Sequence, residues 1–255
     1  MALDMASRGH DQSRQFRYLH QTCTLHAENL CTATQIKVVA LLDGYLQNAE
    51  SHSSIGVYLF SRSLVELSAF TREVMVRLSA VCEKPEDRWR PKGEEFFSIL
   101  MRARFGTSNQ AIAKELKNHG ASKKSLEPFN IMKCLSGLGE TKEGRVLVAF
   151  YDELCDYVHH NLSSHFTSSP GFLVKEEARS AGGGAILSPA GSMPITLYTY
   201  PVPNKCQLAI AQTSEKVLAC AQLCVAHVND IPRSPYSAEQ VQRVTGSPIG
   251  FTQIR

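Results

Sequence analysis

The chain lacks a long hydrophobic run. Nowhere in its 255 residues do apolar side chains follow one another for the roughly 18 to 20 positions needed to cross a bilayer, which excludes a helical membrane span. Charge of one sign is also scarce. Twenty-seven lysines and arginines against 24 aspartates and glutamates leave a formal +3, too little for the whole-surface basic field of a generic nucleic-acid binder. The start, MALDMASRGHDQSRQFRYLH, carries charges throughout and has no apolar h-region. A soluble, cytoplasmic protein is therefore expected. The short catalytic signatures are missing too: no HExxH, no CxxC pair, no Walker A loop, no GxGxxG and no GxSxG elbow. Eight cysteines at irregular spacings fit free thiols in a reducing compartment better than a disulfide framework.

What is present is a globular composition, 43% hydrophobic and 20% charged, in a chain long enough to bury a substantial core. Its dominant pattern is helical. Residues 1 to about 17 are polar and aperiodic and read as a loose arm. Leu25, Leu30, Ile36, Val39 and Leu42 then recur at helical spacing up to about Ala49. Ser53 and Ser54 are suited to cap a second helix, whose stripe is Val57, Phe60, Leu64, Leu67, Val74, Met75 and Leu78. The linker EKPEDRWRPKG ends it near Cys82. Two or three short helices follow over 94–140, then a strong one over 143–162 and another over 205–228. Between 166 and 203 the prolines, the GGG tract and the alternating PITLYTYPV predict a short β-hairpin or extended excursion. The expected fold is mainly α, a bundle of about five to seven helices forming a single domain over 18–232. Residues 233–255 are expected to be a tail in which SAEQVQRVTG adds a turn or two.

Three features carry candidate chemistry. In YDELCDYVHHNLSSH, Tyr151 to His165, the residues Tyr151, Leu154, Cys155, Val158 and Leu162 share a helical face, with His159 at its edge. An imidazole there is suited to acid or base work near neutral pH, and equally to a structural hydrogen bond with a neighbouring helix. On the second helix, Arg62 with Glu66 and Glu73 with Arg77 stand four residues apart, opposite the apolar stripe. Leu59 and Phe70 flank these charges, so they are either a solvated face or a buried set. A buried set would have to pair internally or with Tyr151, His159 or Asn161. Cys220, Cys224 and His227 share a face of the last long helix, but alanine, leucine and valine surround them, and no metal is assigned. The basic stretch KNHGASKK, with Lys117, His119, Lys123 and Lys124, reads first as a solvated loop and second as a phosphate contact.

The pairing of RSLVEL on the second helix with CDYVHHN at the end of a later one resembles bacterial proteins of the HEPN-like (higher eukaryote and prokaryote nucleotide-binding) group, over roughly residues 20–165. The resemblance implies a helical bundle with an arginine or glutamate of one helix set against a histidine near the end of another. It also implies pairing into a homodimer and a defence or toxin-antitoxin-like setting. In catalytic members an arginine precedes the histidine by four to six intervening residues on the same helix. Here the positions four to seven before His159 are Cys155, Leu154, Glu153 and Asp152. Arg145 is fourteen residues away, about 21 Å at helical rise. Only Arg62, from the neighbouring helix, could replace the missing cation. The expected site is therefore His159, Arg62 and Glu66, with Tyr151, Asn161 and Asp152 as binding residues and neither cofactor nor metal. Expected partners are RNA or another protein and no membrane. A noncatalytic or weakly nucleolytic RNA-associated protein heads the expectations. A helical protein-interaction module with a buried structural polar cluster is the alternative.

Overall fold

A computed structural model describes residues 2–118, 126–158, 172–174, 197–199 and 205–245. The fold is mainly helical. Among the described residues the α-helices are α1 (Ala2–Glu50), α2 (Ser54–Cys82), α3 (Trp89–Phe105), α4 (Gln110–Asn118), α5 (Ile131–Leu138), α6 (Lys142–Val158), α7 (Lys205–Asp230) and α8 (Ala238–Thr245). A 3-10 turn, Glu86–Arg88, precedes α3. The strands β1 (Phe172–Val174) and β2 (Leu197–Thr199) pair antiparallel with Leu173 opposite Tyr198. They fall inside the stretch expected to be a hairpin, and the rest of 166–203 lies outside the described residues. No described helix is long and apolar enough to cross a membrane.

The chain divides into two compact units, Met1–Lys37 with Leu67–Leu138 and Leu223–Arg255 in one, and Val38–Glu66 with Gly139–Gln222 in the other, where the sequence suggests one domain. In the first unit Cys23, Ala27, Leu30, Cys31, Val74, Leu78, Val81, Phe96, Leu100, Val228 and Ile231 form a buried cluster. The expectation of a loose arm over residues 1–17 is corrected: α1 begins at Ala2. Its Phe16 is fully buried against Trp89, edge-on at 5.4 Å, and Tyr236 at 4.5 Å. Phe16 is the one apolar side chain among residues 7–17, which is why periodicity alone misses it. In the stretch expected to be a tail, residues 238–245 form the turn or two expected of SAEQVQRVTG, and Tyr236, Gln240 and Val241 are buried.

Helix α3 begins at Trp89, five residues earlier than the linker suggests. Pro91 falls in its first turn, where a proline costs no intrahelical hydrogen bond. Lys92 is 4% exposed, and its Nζ donates to the carbonyls of Cys82 at 2.8 Å and Lys84 at 2.9 Å. A cation is thus set on the unpaired carbonyl end of α2.

In the second unit, α1 and α2 are joined by residues 51–53. The amide of Ser53 donates to Asn48 O at 2.8 Å and that of His52 to Ala49 O at 3.3 Å, with His52 left-handed at φ 58°. This pattern closes the carbonyl end of α1. Ser53 then caps α2, its Oγ accepting from the Gly56 amide at 3.2 Å. A Cβ at Gly56 would lie 1.8 Å from Asn48 Oδ1, so only glycine allows the two helices this approach.

Two outcomes test this packing. Phe16→Ala should cost about 3 to 5 kcal/mol in denaturant unfolding, and a loose arm would show almost none of that loss. Burial lowers the pKa of His20, His26 and His227, helped by Arg104 at His26 and by Arg72 at His227. The unfolded chain takes up these protons near about 6.5, before the native state does. Stability is therefore complete above that pH and is lost as pH falls through the lowered native values. The urea midpoint should drop on acidification from neutrality, less steeply in His227→Gln.

Candidate functional site

The central polar cluster of the second unit lies between α2 and α6. Arg62 Nη2 donates to the Tyr151 hydroxyl at 3.0 Å, that hydroxyl donates to Glu66 Oε1 at 3.0 Å, and Arg62 Nε donates to the same carboxylate oxygen at 3.1 Å. Three polar groups therefore close a ring. The guanidinium carbon also stands 5.2 Å from the Tyr151 ring centroid. Arg62 and Glu66 meet because four residues bring them onto one face of α2. Tyr151 reaches them because it lies on the apolar face of α6 with Leu147, Phe150 and Leu154, all buried. The two ionic side chains are 23% and 33% exposed, neither solvated nor fully enclosed.

Burial pushes the Tyr151 hydroxyl up to about 12, with Arg62 pulling the other way and Glu66 adding to the rise. Burial opposes the charge on Arg62, but Tyr151, Cys155 and Glu66 together outweigh it and raise its pKa. Tyrosine is then a neutral donor near pH 7 and arginine a fixed cation. Neither group is poised to exchange a proton near neutrality.

A second contact sets the direction of packing. Tyr58, one turn before Arg62, stacks on Tyr157 with centroids 4.3 Å apart and planes 9° from parallel. Tyr58 pairs with Tyr157 while Glu66 pairs with Tyr151, so α2 and α6 run antiparallel. Tyr58 is therefore the α2 residue level with the last described turn of α6, and Arg62 sits one turn further back. The Tyr58 hydroxyl donates to Gln212 Oε1 of α7 at 2.9 Å, and burial pushes its pKa up to about 12. Alongside it, Lys216 Nζ of α7 lies 4.6 Å from the Phe150 ring centroid and 3.5 Å from Glu153 Oε2.

Of the residues expected at the site, Arg62, Glu66 and Tyr151 come together. Asp152 is exposed, a 100° step round α6 from Tyr151, and is not joined to the ring. His159 and Asn161 lie outside the described residues, as do residues 119–124 of the basic stretch. The sequence reading missed the Tyr58, Tyr157 and Gln212 group. Its signal was the four-residue step from Tyr58 to Arg62, the same step that links Arg62 to Glu66.

In the first unit, Glu73 and Arg77 pair at 2.6 Å, and the Arg77 and Arg102 guanidiniums stand 5.4 and 4.5 Å from the Phe129 ring centroid. Arg102 also donates to the carbonyls of Glu127 and Pro128, which ties this group to the loop before α5. Cys220 and Cys224 are fully buried. All eight cysteines are free thiols, and among the described residues no three potential ligands gather to hold a metal ion. No protein-family model, no curated protein and no solved structure matches the chain.

Tyr151→Phe removes the hydroxyl while leaving the ring to pack. The expected loss is about 1 to 2 kcal/mol of unfolding free energy, since two hydrogen bonds to charged groups go while Arg62 and Glu66 keep each other. A double-mutant cycle with Arg62→Met should show coupling, and additive losses would mean that the ring does not act as a unit.

Proposed function

We propose that the chain is a helical protein-interaction module in which Arg62, Glu66 and Tyr151 form a structural cluster. The observation that carries this reading is the closed ring. Arg62 Nε and Nη2, Glu66 Oε1 and the Tyr151 hydroxyl all bond within the cluster, and burial holds the tyrosine proton far from neutral pH. A second support is the outward side of the helices. Leu59, Val146, Leu208 and Leu218 of the second unit each expose 43% or more of their surface, an apolar supply suited to docking.

The RNA-associated, HEPN-like reading retains one favourable observation. The arginine of RSLVEL contacts Tyr151 on the helix that leads into VHHN, where the resemblance implies a histidine opposite it. It would make the cluster a support for His159 chemistry, noncatalytic or weakly nucleolytic.

Incubating purified protein with total RNA separates the interaction module from the nucleolytic form of the second reading. The interaction-module reading expects identical RNA patterns for the wild type, His159→Ala and Arg62→Met. RNA cleavage by the wild type that is lost in both variants would overturn it in favour of a ribonuclease.

A further inference from the structure

Helix α1 has two apolar faces, and among the described residues only one of them is covered. Inward lie Phe16, Cys23, Ala27, Leu30, Cys31, Val38 and Tyr45, none more than 5% exposed. Outward lie Tyr18 at 71%, Leu25 at 57%, Ile36 at 64%, Val39 at 66% and Leu46 at 57%. This outer row is ordered. Tyr18, Leu25, Thr32, Val39 and Leu46 stand seven residues apart, and Thr22, Asn29, Ile36 and Asp43 fall four residues after the first four of them. A seven-residue repeat keeps side chains on one stripe when a helix winds against another, since a lone helix drifts about 20° per repeat. From Tyr18 to Leu46 the row runs about 42 Å.

We infer that this outer face pairs with the same face of a second copy of the chain, the two α1 helices antiparallel and a two-fold axis passing near Thr32. The inference rests on the interaction-module reading and names its partner. Reflection about Thr32 brings Tyr18 to the level of Leu46 and Leu25 to the level of Val39, so apolar meets apolar at these four levels of the seam, on both sides of the two-fold axis. Charge selects the direction. Arg14 and Arg17 outnumber Asp11 near the start of the described face, and Asp43 and Glu50 make its end acidic. Antiparallel pairing sets Arg14 level with Glu50 of the other copy and Arg17 within a turn of its Asp43. Arg17 already donates to Thr245 O at 2.8 Å, which holds it at the rim. Parallel pairing would bring the two copies of Asp43 together within the seam, where like charges are costly.

The test is sedimentation equilibrium of the full chain across micromolar concentrations, with circular dichroism as the folding control. The wild type should be a dimer. L25D/V39D alters exposed side chains only, so helicity should be unchanged while the dissociation constant rises about a hundredfold or more. E50R should weaken pairing, and adding R14E should restore it, an outcome that antiparallel contact alone produces and that does not depend on the first variant folding. A wild-type monomer would overturn the pairing, and so would a dimer indifferent to L25D/V39D, or one that R14E fails to restore. None of these results touches the interaction-module reading, which only RNA cleavage removes.

Discussion

A charge held partly out of water must find partners inside the fold, and this constraint organises the packing of α2 on α6. Arg62 sits on a helix whose other face is apolar, with a neighbouring helix on its own side as well. Its charge survives there because Glu66 supplies the counter-ion and Tyr151 supplies both a hydrogen bond and a ring face. An exposed arginine and glutamate four residues apart contribute little to stability. Here their worth lies in the third member, which ties the pair to another helix and fixes the register between the two. The Tyr58 and Tyr157 stack repeats the device one turn away with dispersion in place of charge.

The first unit solves a related problem at helix ends. Lys92 places its ammonium on the last carbonyl of α2 and on that of Lys84 just beyond it, and Arg102 does the same for the loop that leads to α5. Long cationic side chains bury their stems and deliver the charge where backbone oxygens lack partners. Arg233 follows the pattern, donating to the carbonyls of Val228 and Ile231 at the end of α7. Three of the 27 lysines and arginines are thus committed to closing the fold.

The helical class and the stripe of α2 were legible because both follow from spacing: Val57, Leu64, Leu67, Val74 and Leu78 are all buried. The first helix was harder to read. Leu25, Ile36 and Val39 suggested its inner face but are exposed, while Val38, Tyr45 and small residues such as Cys23 and Ala27 line the core. A helix with apolar residues on two sides gives no single stripe, and periodicity cannot say which side is covered. The Arg62, Glu66 and Tyr151 group was anticipated in its members, because the four-residue step and the apolar face of α6 are local facts. That Arg62 meets Tyr151 rather than the last described turn of α6 depends on the antiparallel register, which belongs to packing and is not written in either segment. Phe16 and Tyr236 were missed for the same reason, since each is a lone aromatic in polar surroundings that acquires a partner only in three dimensions.

The connection between α1 and α2 is only three residues long, and it is locked at both ends, by the left-handed His52 and by the Ser53 cap. So short a link has no slack. Adding or deleting one residue there would remove the His52 and Ser53 geometry that closes α1 and caps α2, and would force the start of α2 with Val57 to shift against α1. Length variation in this chain should therefore be tolerated at longer connections and forbidden at this one, whatever side chains the three positions carry.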